Sequence, residues 1–429
     1  MLRFASSPTD DMPICALRVA ILNFLMAQQR NESFIVRIDD TDTMSNIEGK
    51  DTEIMQILEK FALNHESVFH QSEHLHMHQT LAIKLLEERK AFICTCTEEP
   101  SEASNETNSC TGQCDKKDNS DHKKLKASHT PFVIRIKKPI KDMVNHDVIK
   151  GDISTLPNYV DDFVILHADG TPSHNFASAC DDMLSGISMI IAEQSHCFDT
   201  VKQMHIKMQL GYEAETTYAH LPSILNKQGK ILSKNDDAFY VKWMFQEGFI
   251  PDAIINYLLL LGNAHTAQEI FTLPDAIKWF SLEDISKEPV QFDNEKLRFI
   301  NREHLKRIDD RDLSTLFGFA DPDIGKLAKL YLEEVSTTTE LEAKIAPIFA
   351  DKDFEGPWAN EMRTMETLVQ DAPMFAKYED FQTYVMKESG LRGANFFKPL
   401  RLLLTGAEHG PELSDIYPLI KSYLLEIAS

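Results

Sequence analysis

The first forty residues alternate between apolar runs and polar breaks in a way that separates strand from helix. A short apolar strand, LRFA (Leu2–Ala5), gives way to polar turn residues. An apolar helix follows to about Gln29, and then comes a second run, SFIVRIDDTD (Ser33–Asp42). That second run is rich in β-branched residues and ends in carboxylates, as a buried parallel strand does when it delivers polar groups at its C-terminal edge. Strand, helix, strand opens a doubly wound sheet. In EGKDTEIMQILEKFAL the residues Ile54, Ile57, Leu58 and Phe61 fall at helical spacing, and a further helix is predicted around LAIKLLEERKAF.

From about Cys94 to His129 the chain is polar and poor in apolar residues, which predicts an insertion. Strand patterns return at PFVIRIKKP and DDFVILHADG, and from about Trp243 onward the pattern is almost wholly helical. No internal repeat is present. The expected plan is an α/β doubly wound (Rossmann-like) domain over 1–240 with an insertion near 80–150, a helical region over 241–310, and an all-α region over 311–429. A length of 429 residues suits roughly three domains.

Composition adds little to this plan, but charge does. With 43% apolar and 26% charged residues the chain reads as an ordinary globular protein. No signal-peptide pattern opens it and no run is long enough to span a bilayer, so a cytoplasmic protein without membrane contact is expected. A net charge of −23, from 44 basic and 67 acidic residues, argues against indiscriminate attraction to nucleic acid, DNA included. Local basic faces remain at Lys296–Arg307, Phe396–Arg401 and among the lysines from Lys116 to Lys126, each of which also reads as a solvated face.

Three stretches could carry chemistry. SSPTDDMPICALRVAILNFLMAQQ (Ser6–Gln29) runs a polar turn into a helix, which is how a chain offers a helix N-terminus to a phosphate, although no glycine lies in the turn. Pro13 suits a first helical turn, with Asp10 or Asp11 as its cap. In NKQGKILSKNDDAFYVKW (Asn226–Trp243) a glycine-bearing turn sets Ser233 and Lys234 where a loop could bring an ammonium to a phosphate chain; Asn235 or Asp236 as an ordinary helix cap is the other reading. In PSHNFASACDDMLSGIS (Pro172–Ser188), Asp181 and Asp182 fit a helix N-terminus through the macrodipole alone. Cys94, Cys96, Cys110 and Cys114 fall as CxC and CxxxC inside the polar insertion. Thiolates paired this way close a tetrahedral zinc site, with unliganded thiols as the alternative. Cys15, Cys180 and Cys197 are scattered and suit buried filling.

Read together, these stretches resemble the bacterial glutamyl-tRNA synthetases among the class I aminoacyl-tRNA synthetases. RFASSPT resembles that family's RFAPSPTG, RIDDTD its RIEDTD, GTPSHNFASACDD its GTPTYNFA..VDD, and ILNKQGKILSKNDDA its ILNKEGKKMSKRDDA. FKPLRLLLTGAEHGPELSDIYPLI (Phe397–Ile420) resembles the close of its anticodon-binding domain. The resemblance implies a ligase of protein biosynthesis that uses ATP and Mg²⁺ to make glutamyl adenylate and passes the acyl group to tRNA for glutamate or glutamine. It implies zinc near the acceptor-stem domain, a stem-contact region over 241–310 and an anticodon-binding domain over 311–429. By the same resemblance Lys234 and Ser233 are catalytic. Arg3, Ala5, Ser7, Asp39, His174 and Ser178 hold L-glutamate, and Pro13, Ile14, Cys15, Ala16 and Lys234 meet ATP.

Departures fall on this chemistry. The family's HIGH element is PICA here, so Pro13 replaces a histidine that grips phosphate and Cys15 replaces a glycine that admits adenine. The KMSKR loop is ILSKN (Ile231–Asn235), Asp39 stands for a glutamate, His174 for a tyrosine, and Ala192 for an arginine that binds the substrate carboxylate. Losing such a fork-shaped cation is not conservative. Two readings follow: a glutamate-tRNA ligase with a weakened site, or an inactive synthetase-like protein that keeps only its hold on tRNA.

Overall fold

Strand β1 (Leu2–Ser6) is buried over its first three residues, and β2 (Phe34–Ile38) is buried throughout. They pair in parallel, Leu2 opposite Phe34 through Ser6 opposite Ile38, with helix α1 (Ile14–Arg30) as the crossover. The computed structural model describes residues 1–96, 114–116, 131–266 and 268–428. Two compact units make up the chain: Met1–Lys242 with Leu258–Phe292, and Trp243–Tyr257 with Asp293–Ser429.

The first unit is built on a seven-stranded sheet. Beside β1 and β2 it contains β3 (Val68–His70), β6 (Met143–Asp147), β7 (Gly151–Thr155), β9 (Met189–Glu193) and β10 (Thr217–Leu221), in the spatial order β3-β2-β1-β9-β10-β6-β7. All neighbours are parallel except the β6–β7 hairpin at one edge. A separate antiparallel sheet contains β4 (Ala91–Cys94), β5 (Val133–Ile136) and β8 (Phe163–Leu166). The two strand patterns predicted after the polar insertion are β5 and β8. The β6–β7 hairpin lies between them in sequence but joins the main sheet.

The helix predicted through LAIKLLEERKAF stops early. Helix α3 (Leu75–Glu87) follows α2 (Lys50–Lys60) and ends where Arg89 turns to φ 57°. Arg89 N–H then donates to Leu86 O and Lys90 N–H to Leu85 O, which satisfies the last carbonyls and releases Ala91 and Phe92 into β4. Helix α4 (His174–Leu184) and helix α5 (Cys197–Gln209) complete the elements that matter for the site. Among its described residues the second unit is entirely helical, around a core that includes Leu327, Phe381, Phe396, Leu400 and Tyr417. None of the described helices is long and apolar enough to cross a membrane.

Candidate active site

The sheet reverses its winding between β1 and β9: β1 leads outward to β2, and β9 leads the other way to β10. A parallel sheet opens a crevice at the carboxyl ends of its strands where this happens. A cavity of about 360 Å³ lies there, and both Arg3 from β1 and Lys234 from the 233–236 loop line it. Of the residues singled out in the sequence, Ala5, Ser7, Pro13, Ala16, Asp39, His174, Ser178 and Ala192 line it too. Ile14 does not, because its side chain is fully buried in the core. Cys15 and Ser233 are not part of the lining either.

Pro13 is the residue just before helix α1, with φ −70° and ψ 153°, and Leu17 N–H is bonded back to its carbonyl. No side chain caps the helix. The expected caps are engaged elsewhere. Asp11 pairs with Lys50, and Asp10 accepts from the Lys234 ammonium, from the Tyr240 hydroxyl at 3.3 Å and from Asp11 N–H at 2.8 Å. The helix thus begins at Ile14 with no capping side chain on Pro13, and its positive N-terminal end lies beside the cavity. Burial and the Glu193 carboxylate push the Cys15 thiol well above its usual range, so it is a neutral thiol at the helix start.

The 233–236 loop is held by Asp236, which accepts from Ser233 N–H at 2.9 Å, Ser233 Oγ at 3.2 Å and Asn226 Nδ2 at 3.0 Å. Asp236 does precede a short 3₁₀ turn, Asp237–Phe239, but its side chain turns back to Ser233 and does not cap it. Lys234 remains 70% exposed on its side chain, so the Asp10 pair can open without repacking.

Beneath the cavity is a buried lattice of charge that sequence spacing missed. Arg3 grips Asp182 through both carboxylate oxygens, Nε to Oδ1 at 2.9 Å and Nη2 to Oδ2 at 3.0 Å. Arg37 reaches Asp182 Oδ1 at 2.8 Å, Asp39 at 2.6 and 3.2 Å, and Ser178 Oγ at 3.1 Å. Burial pushes the Asp182 carboxyl up, but Arg3 and Arg37 outweigh it and hold the group well below the usual range. The macrodipole explanation of Asp181 and Asp182 is overturned: they sit in the second half of α4, 1% exposed, where a helix start offers nothing. One signal in the sequence pointed here. A charged residue inside the otherwise apolar FIVRI must find a partner when the strand is buried on both faces.

Ala192, where the family has an arginine, and His196 both line the cavity, and His196 Nδ1 is 3.1 Å from Asp199 Oδ2. Its hydrogen bond to Asp199 raises the His196 pKa, and that of Asp199 falls to about 2. Burial lowers His174, at the place of the family's tyrosine, toward a neutral imidazole.

The sequence profile described as "tRNA synthetases class I (E and Q), catalytic domain" matches residues 1–299. The chain is 60% identical to the Glutamate--tRNA ligase 2 of Sulfurovum sp. (strain NBC37-1) and 48% identical to that of Sulfurimonas denitrificans, with 100% of each chain covered in both comparisons. The chain belongs to the class I glutamyl-tRNA synthetase family. In fold it matches a solved glutamate tRNA ligase from Elizabethkingia meningosepticum, in complex with its amino acid. The TM-score is 0.80 at 24% identity, covering 99% of this chain and 97% of that one.

This member of the synthetase family also brings three of its four predicted zinc ligands together. The sulfur atoms of Cys94, Cys96 and Cys114 all lie within 4.8 Å of one another, and those of Cys96 and Cys114 are 3.6 Å apart. Thiolates about 2.3 Å from a tetrahedral zinc stand about 3.8 Å from each other, so the donor set fits the ion. Cys94 closes β4 and packs with Phe92, Cys114 and Val133. Cys110 and the lysines from 117 to 126 lie outside the described residues.

Proposed function

We propose that this synthetase activates L-glutamate with ATP and transfers it to tRNA at the β1–β9 crevice. The observation that carries the reading is the convergence of an arginine from the first strand and a lysine from a distant loop on one cavity headed by an uncapped helix. Arg3, with donors to spare, takes the side-chain carboxylate of glutamate, and Asp39 and Ser178 lie beside it on the wall that meets the ammonium. Ala5 and Ser7 line the path from β1, and His174 closes the pocket as a neutral ring.

ATP arrives with its Mg²⁺ and lays its phosphates toward the Pro13–Ala16 helix start. A glutamate carboxylate oxygen attacks the α-phosphorus, the bond to pyrophosphate breaks, and a glutamyl adenylate remains. Lys234 leaves Asp10 to neutralise the departing pyrophosphate, with Ser233 shaping the loop that presents it. The terminal ribose hydroxyl of tRNA then attacks the acyl carbon and AMP leaves.

Cys94, Cys96 and Cys114, with Cys110 expected from the sequence as a fourth ligand, would hold a zinc ion that would stabilise the small β4–β5–β8 sheet without a part in the reaction. The helical unit contacts the stem and anticodon of tRNA, and the protein works in the cytoplasm.

The decisive measurement is glutamate-dependent ATP–pyrophosphate exchange in the presence of tRNA. A glutamate-dependent signal above background is expected. Its absence, with tRNA binding retained at low salt, would assign the chain to the inactive tRNA-binding class.

A further inference from the structure

Arg37 lines the cavity but has nothing left to offer a ligand. A guanidinium carries five N–H donors. Here Nε goes to Asp39 Oδ1, Nη1 to Asp182 Oδ1 and to the Ser178 carbonyl at 3.4 Å, and Nη2 to Asp39 Oδ2 and Ser178 Oγ. Five bonds use five donors. Arg3 is the reverse case. Two of its donors are spent on Asp182, and the other three have no protein partner among the described residues, on a side chain that lines the cavity.

The charges sharpen this division of labour. Asp182, 1% exposed, lies against both Arg3 and Arg37, and Asp39, 8% exposed, lies against Arg37. Without Arg37 the local sum over Arg3, Lys207, Asp39, Asp181 and Asp182 is negative, which repels an anionic side chain. With Arg37 it is zero, and the outward donors of Arg3 present an unopposed positive edge. Buried charges are screened little, so one unit of charge at this range changes the pull on a carboxylate far more than on a neutral amide.

Resting on the assignment of Arg3 to the glutamate side chain, we infer that Arg37 is a positioning residue that sets the preference of this site for glutamate over glutamine without touching either. It fixes Asp182, which fixes the Arg3 fork, and it cancels the carboxylate charge that would otherwise oppose the substrate.

The test is calorimetric binding of L-glutamate and of L-glutamine to the full-length chain and to three variants. Arg37→Gln is expected to weaken glutamate by about tenfold or more and glutamine by less than about threefold, so the preference collapses. Arg37→Lys keeps the charge and is expected to retain the wild-type ratio to within about threefold. The paired variant Arg37→Gln/Asp39→Asn removes one charge of each sign and keeps the Arg3–Asp182 pair, so it folds where the single change fails, and the ratio is expected to return.

Equal weakening of both amino acids in Arg37→Gln, or loss of the ratio in Arg37→Lys or in the paired variant, overturns the inference. So does a wild-type chain that binds both amino acids alike. A wild-type chain that binds glutamate selectively yet shows no exchange ends the proposed reaction while the binding ratios still decide the role of Arg37.

Discussion

Lys234 and Asp10 form the exposed ion pair on which the proposed reaction turns. The ammonium rests on Asp10, and in the proposed reaction the phosphates of ATP take Asp10's place. Exposed ion pairs are weak, so Asp10→Asn should lower the KM for ATP by no more than about fivefold, read in exchange assays at varied ATP. Lys234→Ala removes the charge on the leaving group and should cut the exchange rate by about 10² to 10³. At the helix start, Cys15→Gly combined with Pro13→His should raise exchange above the unmodified chain. That change clears a neutral thiol and restores a donor, and steady-state kinetics would show it. Arg3 and Lys234 were readable as chemistry because their motifs are local. Arg37 and Asp182 were not, because their significance is the bond between them, and they stand 145 residues apart.

Among the elements, the outer sheet edge and the cysteine-bearing sheet are held by devices of opposite kind. Strands β6 and β10 share a single paired position, Tyr218 with Asp147, so the hydrogen-bond ladder contributes little there. A buried ion pair joins them instead, His220 Nδ1 to Asp147 Oδ2 at 2.6 Å, with Thr200 Oγ1 2.9 Å from the other ring nitrogen. Burial pulls the His220 pKa down, but Asp147 and Cys197 overcome it and raise it to about 9. A raised folded-state pKa means stability that is complete below about pH 6.5 and is lost as pH rises through 9, on the order of 3 kcal/mol in all. Unfolding midpoints between pH 6 and 10 should fall over that window, and His220→Asn should flatten the slope.

The small sheet carries the three clustered thiols of Cys94, Cys96 and Cys114 at its edge. Metal analysis of purified protein should find one zinc per chain, and Cys94→Ser or Cys114→Ser should lose most of it and lower the melting temperature. The strand pattern revealed β5 and β8. It did not reveal that β6 and β7 between them join another sheet, since periodicity reports which faces are buried and not against what.

At the scale of the molecule, a chain of net charge −23 must bind a polyanion through local faces. On the helix Asn294–Arg307, Arg298 pairs with Glu340 and Lys306 with Glu303 and Glu333, while Arg401 is spent on the carbonyls of Gly410 and Pro411. Three of the seven cations on Lys296–Arg307 and Phe396–Arg401 are thus engaged within the protein, and tRNA affinity should fall roughly tenfold or more between 50 and 200 mM salt, as filter binding would show. The helical nature of the C-terminal half was plain in the apolar spacing. The division into units was not: Leu258–Phe292 belongs with the α/β unit although its pattern is helical like that of its neighbours.

The order of strands and helices in the first forty residues, the helical second half and the family were determined by sequence alone, because apolar periodicity and short motifs are local properties that a single chain displays directly. Tertiary structure alone decided which charges meet. Arg3 finds Asp182 across 179 residues and Lys234 finds Asp10 across 224, and those pairings set what the cavity can hold. The physical reason is that an ion pair, buried or exposed, is selected by the packing that brings its two ends together, and no spacing along the chain encodes that distance.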